Sequence, residues 1–213
     1  MVISLLDQAP VVPEASKLKE LAENYFGDDY EITLSADHQR WGEDKIVLQC
    51  GLREFPKVKL GAVVPVRELT SRETLFDRFS ILKEKLALVR PWKSNTKSFL
   101  RRAEQWLAER LPEVEVSRTA CGEATWPSAE YETDSLCLRK DDLVAFLMPY
   151  GPWTLAADGL IDLKRANVGE WTFILEKGEW YYFPDYPPGS NLELLTPELF
   201  TRLVKECFDE QFA

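Results

Sequence analysis

The sequence predicts an α+β protein: one antiparallel sheet, or two, with a central helix pair and a C-terminal helix packed on one side. Three observations support this fold class. Two helical patterns adjoin each other in residues 70–112, strand-like alternation flanks them on both sides, and a third helical pattern lies near the end of the chain. An apolar share of 45% and seven Trp in 213 residues indicate a packed protein with a core of its own.

In the first half, residues 18–26 have helical spacing, and Gly27 is suited to end that helix. Residues 30–34 alternate between apolar and polar, and residues 46–52 and 58–66 read as two further strands. The central helices follow. This order of helix, three strands and helix resembles the topology of small acidic chaperones of the type III secretion class, in a chain longer than those chaperones usually have.

The central helix pair has the clearest start and stop signals in the sequence. Thr70 and Glu73 form a capping box at the start of the first helix. Its apolar stripe consists of Leu75, Phe79, Leu82, Leu86 and Val89. Pro91 is predicted to end this helix because its ring removes an amide and restricts the preceding residue. A second helix is predicted to restart after one of three capping residues, 94–96.

The second half reads mostly as strands, over residues 114–116, 131–139 and 143–148. Lys177 and Gly178 mark a hairpin between two aromatic strands, and Thr196 followed by Pro197 opens a final helix. The predicted organisation is residues 1–112 and residues 113–213, with a joint at Pro112 or in the loop 122–129. One continuous domain is the alternative.

Charge divides the chain into three parts. Net charges are −4 for residues 1–60, +5 for residues 61–112 and −11 for residues 113–213, within a total of −10. A strongly acidic surface repels nucleic acid and anionic membranes, so only the basic middle part is suited to bind them. The sequence begins without the features of a signal peptide, and no apolar run is long enough to span a membrane, so a soluble cytoplasmic protein is predicted.

The cysteines agree with a reducing compartment. Four of them are widely separated and form no C-x-x-C pair: Cys50, Cys121, Cys137 and Cys207. They are interpreted as reduced and mostly buried thiols. A disulfide pair is the alternative, and four cysteines allow three connectivities.

The first candidate site is an anion site at the joint of the central helices. Lys97 and Arg101 are one helical turn apart, and Trp92 and Lys93 lie just before the predicted helix start. Free amides at a helix start favour an anion, so these residues together could bind a phosphate or a carboxylate. The alternative is a solvated helix face on which Arg101 pairs with Glu104.

The second candidate site is the aromatic hairpin. A two-residue turn predicts that Leu175 faces Trp180 and Phe173 faces Tyr182 on one side of the sheet. The other side then carries an apolar patch, which is a candidate partner surface: Ile174, Tyr181, Phe183 and Tyr186. Strands buried on both faces read the same way, so a central strand pair is the alternative.

A third group contains carboxylates that could bind a divalent cation or act in acid–base catalysis: Glu130, Glu132, Asp134, Asp141 and Asp142. An acidic solvated strand face is the commoner meaning of such alternation. His38, the only histidine, has no second His to form a metal site. Because no phosphate loop, nucleophile elbow or zinc pattern occurs, no catalytic residue, metal or cofactor is predicted.

The sequence therefore favours a cytoplasmic, non-enzymatic accessory protein: a chaperone, adaptor or inhibitor that binds another protein. A basic partner would match the acidic half, and the surplus of aromatic residues suits an interface. One alternative is a binder of nucleic acid or a phosphorylated ligand through Lys93, Lys97 and Arg101. The other is an enzyme without a recognisable motif that uses the second-half carboxylates with a divalent cation.

Overall fold

A computed structural model describes residues 13–37, 45–65, 71–125, 129–151, 158–166, 169–184 and 192–209. The helices are α1 (Pro13–Phe26), α2 (Arg72–Ala87), α3 (Val89–Arg110) and α4 (Pro197–Phe208). The strands are β1 (Tyr30–Asp37), β2 (Lys45–Leu52), β3 (Val58–Pro65), β4 (Glu115–Thr125), β5 (Ala129–Lys140), β6 (Leu143–Tyr150), β7 (Gly159–Arg165), β8 (Gly169–Glu176), β9 (Glu179–Phe183) and β10 (Glu193–Leu194). Every strand pair whose register is resolved is antiparallel, which confirms the predicted α+β class.

The chain divides into two units, each with its own core. The first unit contains Met1–Ala87 and Glu123–Tyr131, and the second contains Leu88–Gly122 and Glu132–Ala213. The joint predicted at Pro112 lies inside the second unit. The observed division follows the end of α2, and a short later segment returns to the first unit.

In the first unit, β1, β2, β3 and the start of β5 pair side by side in that order. The alternation predicted for the first strand is confirmed, because Ile32 and Leu34 are buried. Phe26 of α1 and Phe79 of α2 meet with ring centroids 5.6 Å apart, and Phe79 is fully buried. The predicted end of α1 is also confirmed, since Gly27 has a φ of 83° and its amide donates to the Glu23 carbonyl.

The boundary between α2 and α3 differs from the prediction. The α2 helix ends at Ala87, and α3 begins at Val89, so Pro91 lies in the first turn of α3 and does not end a helix. Proline is tolerated there because amides of the first turn have no partner within the helix. The predicted restart at residues 94–96 is therefore wrong, and those residues lie inside α3.

The start of α2 is capped by a different residue from the predicted one. The Ser71 hydroxyl accepts a hydrogen bond from the Thr74 amide at 3.4 Å, the geometry that satisfies a free amide in the first helical turn. Thr70 lies outside the described residues. The apolar stripe itself is confirmed, because Leu75, Phe79, Leu82 and Leu86 are all buried.

In the second unit, β5 to β10 pair in sequence order, and β4 pairs with β5. The α3 and α4 helices pack on one face of this sheet, where Phe99 and Phe200 contact Phe173 of β8 with ring centroids 5.8 Å away in each case. The α4 start agrees with the prediction, since the Thr196 hydroxyl accepts from the Leu199 amide and Pro197 follows the cap. The C-terminal helix on one side of the sheet is thus confirmed.

All four cysteines are free thiols. Cys50 and Cys207 are buried, and burial raises the pKa of Cys50 to about 12 and that of Cys207 to about 11. Cys121 and Cys137 are partly exposed. The interpretation as buried thiols therefore applies fully to two of the four.

Candidate functional site

The aromatic hairpin has the register that its turn predicts. Lys177 and Gly178 both have positive φ, 51° and 87°, as a two-residue type I′ turn requires. Leu175 lies opposite Trp180 and Ile174 lies opposite Tyr181. On the face of the hairpin that packs against α3, Phe173, Leu175 and Trp180 are buried, and the Phe99 ring lies 4.7 Å from the Trp180 ring.

The opposite face of the second unit's sheet is here called the outer face. It is formed by the alternate residues of β6 to β10 that point away from α3 and α4. In the described part of this unit, both helices pack on the other side of the sheet. The apolar residues on the outer face that remain partly or largely exposed include these six: Phe146, Met148, Ile174, Tyr181, Phe183 and Leu194.

Three of these six residues belong to the predicted partner surface. Ile174, Tyr181 and Phe183 lie on one face, as predicted, and all three are half-buried. Leu194 of β10 extends the patch beside Tyr181 and is 51% exposed. Tyr186 lies outside the described residues.

A polar cluster lies on the outer face next to this patch. We call it the Asp162 cluster, and it consists of Tyr150, Asp162, Lys164, Glu170 and Thr172. The Thr172 hydroxyl donates to Asp162 Oδ1 at 2.8 Å, and Lys164 Nζ lies 3.1 Å from Glu170 Oε1 and 3.5 Å from Asp162 Oδ2. Lys164 also donates to the Tyr150 hydroxyl. Three strands contribute to the cluster, and the β7 residues stand at its centre.

The pKa values of the two carboxyl groups of the cluster are shifted in opposite directions. Burial raises the pKa of Asp162 from 3.8 to about 7, and a hydrogen bond with Glu170 raises it further, against a lowering by Thr172 and Lys164. The same hydrogen bond with Asp162 lowers the pKa of Glu170. A hydrogen bond between two carboxyl groups requires one proton, so the pair carries a single negative charge while that proton is held.

The pKa values of the one cation and of the phenol in the cluster are also shifted. Partial burial lowers the pKa of Lys164, but hydrogen bonds to Tyr150 and Glu170 outweigh it and leave the amine firmly protonated. Burial raises the pKa of Tyr150, which therefore stays neutral as a hydroxyl. Asp162 is 3% exposed, whereas the Glu170 side chain is 46% exposed, so solvent reaches the pair through Glu170.

The predicted anion site is only partly brought together. Trp92 is 1% exposed, so its ring is buried and does not offer a stacking surface. Lys93 donates to the Glu132 carbonyl at 2.6 Å. Lys97 and Arg101 are exposed on α3, but they lie beyond its first turn. The backbone amides at their positions are bonded within the helix and are therefore not free to bind an anion.

The ion pair between Arg101 and Glu104, which was the alternative prediction, does not form. Glu104 instead accepts two hydrogen bonds from Arg118 of β4, at 2.7 and 2.8 Å. Such a two-pronged contact is the favoured geometry between guanidinium and carboxylate. Arg118 also lies 3.8 Å from Asp134, which places one of the predicted carboxylates in an ion pair.

The predicted carboxylate group does not converge on a cation site. The Asp134 side chain is 64% exposed, and Asp141 and Asp142 are exposed in the turn between β5 and β6. In the part of the chain that the structure describes, no three His, Cys, Asp or Glu side chains are grouped to hold a metal ion. His38 lies outside the described residues.

The Asp162 cluster was not among the sequence predictions. Its residues lie on three strands, and only the pairing of β6, β7 and β8 brings them together. One signal was present: Asp162 stands among apolar neighbours in β7, GLIDLKR. A charged residue in such a strand is buried only when it has polar partners, so the sequence implied partners without identifying them.

Comparison of the chain with protein-family models, with curated proteins and with solved structures finds no match. No helix in the described residues is long and apolar enough to cross a membrane. The outer face and its charges are therefore the basis for a functional proposal.

Proposed function

We propose that this protein is a non-enzymatic accessory protein that binds another protein through the outer face of its second unit. The observation that supports this most directly is the exposure of apolar residues on a sheet face opposite both helices of the unit. Leu194 is 51% exposed and Phe146 is 38% exposed. Single exposed apolar residues are ordinary, but several on one face mark an interaction surface.

The composition of the patch supports a protein partner. Tyr181, Phe183 and Phe146 offer aromatic surface, which is enriched at protein interfaces and bears much of their binding energy. The Asp162 cluster next to them supplies hydrogen-bonding groups that can fix the partner's orientation. The strand register places Asp162 and Thr172 between Met148 of β6 and Phe183 of β9, so hydrogen-bonding groups lie among the apolar residues of this face.

A pull-down from the protein's native lysate tests the proposal. The immobilised protein is compared with a Tyr181→Ser, Phe183→Ser double variant, and captured proteins are identified by mass spectrometry at low and high salt. We expect a captured protein to be reduced at least tenfold by the double variant, because loss of a central aromatic residue commonly costs about 2 kcal/mol or more.

Ile81→Ser is the matched control, because Ile81 is 53% exposed on α2 of the first unit and lies outside the outer face. Capture that is lost equally in this control would indicate a general effect of removing exposed apolar surface. Capture that persists in the double variant, with circular dichroism showing both variants folded, would contradict binding through the outer face.

Lys97→Glu with Arg101→Glu is measured in the same experiment with nucleic acid as the readout. Binding of nucleic acid falls steeply with salt because displaced counterions return to the backbone. Nucleic acid captured at low salt and lost in this variant would move the function to α3.

A further inference from the structure

One edge of the strand β4 has no partner strand in the described part of the chain. The strand spans Glu115–Thr125, which is 11 residues, and among the described strands it pairs with β5 alone. Its other edge presents a row of backbone amides and carbonyls that no described strand binds. The edge strand at the far end of the sheet, β10, has 2 residues, so β4 is much the longer edge.

The middle of β4 is open to solvent on both faces. Four consecutive residues are exposed: Ser117, Arg118, Thr119 and Ala120. Neighbouring residues of a strand point to opposite faces, so neither face of this stretch is covered. Sheet edges are usually protected from pairing with other chains by lysine, by proline or by a short strand. Residues 115–122 contain neither lysine nor proline, and the edge is therefore suited to accept another strand.

We propose that two copies of this chain form a dimer by pairing their β4 strands edge to edge in antiparallel orientation. Such a pair is related by a two-fold axis, so the same edge is used in both copies and the assembly closes. Ala120 is the midpoint of β4, and the register that places Ala120 opposite itself pairs the whole strand. A pair of this length forms about ten backbone hydrogen bonds, as many as a typical protein interface contains.

The charges of β4 are compatible with pairing about Ala120. In that register Arg118 lies opposite Gly122 of the second copy, and Glu123 lies opposite Ser117. Each of these charged residues therefore faces an uncharged one. The two Ala120 residues at the centre are small, so the strands can approach each other closely there.

The neighbouring registers are less favourable. Pairing about Arg118 would place two guanidinium groups opposite each other, and pairing about Thr119 would place Glu115 opposite Glu123. Like charges directly opposite each other destabilise a strand pair. Pairing about Cys121 opposes no like charges, but it leaves the first two residues of each strand without a partner. The sequence of β4 therefore favours one register of pairing with itself.

The exposed edge is also held in place within its own chain. Arg118 donates two hydrogen bonds to Glu104 of α3, at 2.7 and 2.8 Å, and lies 3.8 Å from Asp134 of β5. Its charge is thus compensated inside each copy and needs no carboxylate from the other. A strand that is already positioned loses less conformational freedom on pairing, which favours association.

This dimer is independent of binding through the aromatic patch. The strands β6, β7 and β8 lie between β5 and β9, which carries Tyr181 and Phe183. The Tyr181→Ser, Phe183→Ser double variant should therefore remain dimeric. Loss of the dimer in that variant would place the contact between copies on the outer face and overturn the inference.

Gel filtration with multi-angle light scattering on the full chain tests the proposal, and we expect the wild type to be a dimer. Ala120→Arg places two guanidinium groups opposite each other at the two-fold axis and should weaken the dimer at least about tenfold. Ser117→Arg is the matched control, because it adds the same charge at an exposed position of the same strand but opposite Glu123. That control should remain dimeric, and circular dichroism shows whether both variants are folded.

Cysteine cross-linking tests the register. Directly opposite residues of an antiparallel pair have Cα atoms about 4.5 to 5.5 Å apart, which a disulfide can bridge. In a Cys121→Ser background, Ala120→Cys should therefore give a disulfide-linked dimer when oxidised with copper phenanthroline. Ser117→Cys is the control, since its two copies would lie about 20 Å apart. The background without an added cysteine shows any cross-linking by the remaining thiols.

Three further results would overturn the inference. The first is a wild-type protein that is monomeric at every concentration measured. The second is a dimer that Ala120→Arg and Ser117→Arg affect equally. The third is cross-linking of Ser117→Cys that is as efficient as that of Ala120→Cys.

Discussion

At the scale of single residues, burial of Asp162 beside Glu170 makes the free energy of unfolding depend on pH. The folded protein holds the Asp162 proton up to a pH of about 7, whereas an unfolded carboxyl group loses it near 3.8. A raised pKa means that this contribution to stability is fully present at low pH and is lost as pH rises towards about 7. Above that pH, no further change is expected from this residue.

The first prediction concerns Asp162→Asn. Between about pH 4.5 and pH 7, the unfolding free energy of the wild-type protein should fall by on the order of a few kcal/mol because of this group. The variant should lose that dependence, since asparagine does not ionise and its amide can still accept from Thr172. Urea denaturation across this pH range measures the slope. The same slope in both proteins would show that another group causes it.

Buried polar residues were predicted less well than buried apolar ones, and the reason is physical. The stripe of Leu75 and Phe79 on α2 was predicted because helical periodicity places both on one face whatever lies beyond. The partners of Asp162 depend on which strands are neighbours, and local periodicity does not contain that information. Trp92 was misplaced for a related reason, since the wrong helix start assigned it to a loop.

At the scale of elements, the hairpin was predicted in detail because a two-residue turn fixes the register of the strands on either side. The turn also supplies a second prediction. Gly178 has a φ of 87°, a conformation that costs any residue with a Cβ about 1 kcal/mol, so Gly178→Ala should destabilise the second unit by roughly that amount.

Lys177→Asn tests the same turn with a substitution that should stabilise the second unit. Lys177 has a φ of 51°, and asparagine adopts this conformation more readily than lysine. We expect a gain in stability of a few tenths of a kcal/mol, measured by urea denaturation beside Gly178→Ala. Equal effects of the two substitutions would contradict a type I′ turn.

The end of α4 is held by a buried guanidinium, which gives a third prediction. Arg165 of β7 is 9% exposed and donates to the Cys207 carbonyl at 2.7 Å, where a positive charge also favours the helix end. Arg165→Met should cost roughly 2 to 3 kcal/mol, because the carbonyl loses a charged donor. Arg202→Met, at a 59% exposed side chain of the same helix, should cost less than about 1 kcal/mol. Similar losses in the two variants would contradict this role.

At the scale of the whole molecule, each unit has its own aromatic core, and a fourth prediction follows. Phe79→Ala should destabilise the first unit by roughly 3 to 5 kcal/mol, because Phe79 is fully buried beside Phe26. Hydrogen exchange should then quicken in β1 to β3 more than in α4 and β7. Phe200→Ala in the second unit is the counterpart and should give the reverse pattern. Uniform quickening in both variants would show that the chain unfolds as one unit.

The position of β5 in the sequence determines when β3 acquires its second partner strand during translation. Its first residues pair with β3 in the first unit, and the rest of the strand belongs to the second. When Ala87 leaves the ribosome, Val58–Leu60 still have no partner strand on that side, and the partner arrives only with Ala129–Tyr131. During translation, β3 is therefore a temporary sheet edge, open to pairing with other chains for as long as the next 40 or so residues take to appear, about 2 to 8 seconds at typical elongation rates.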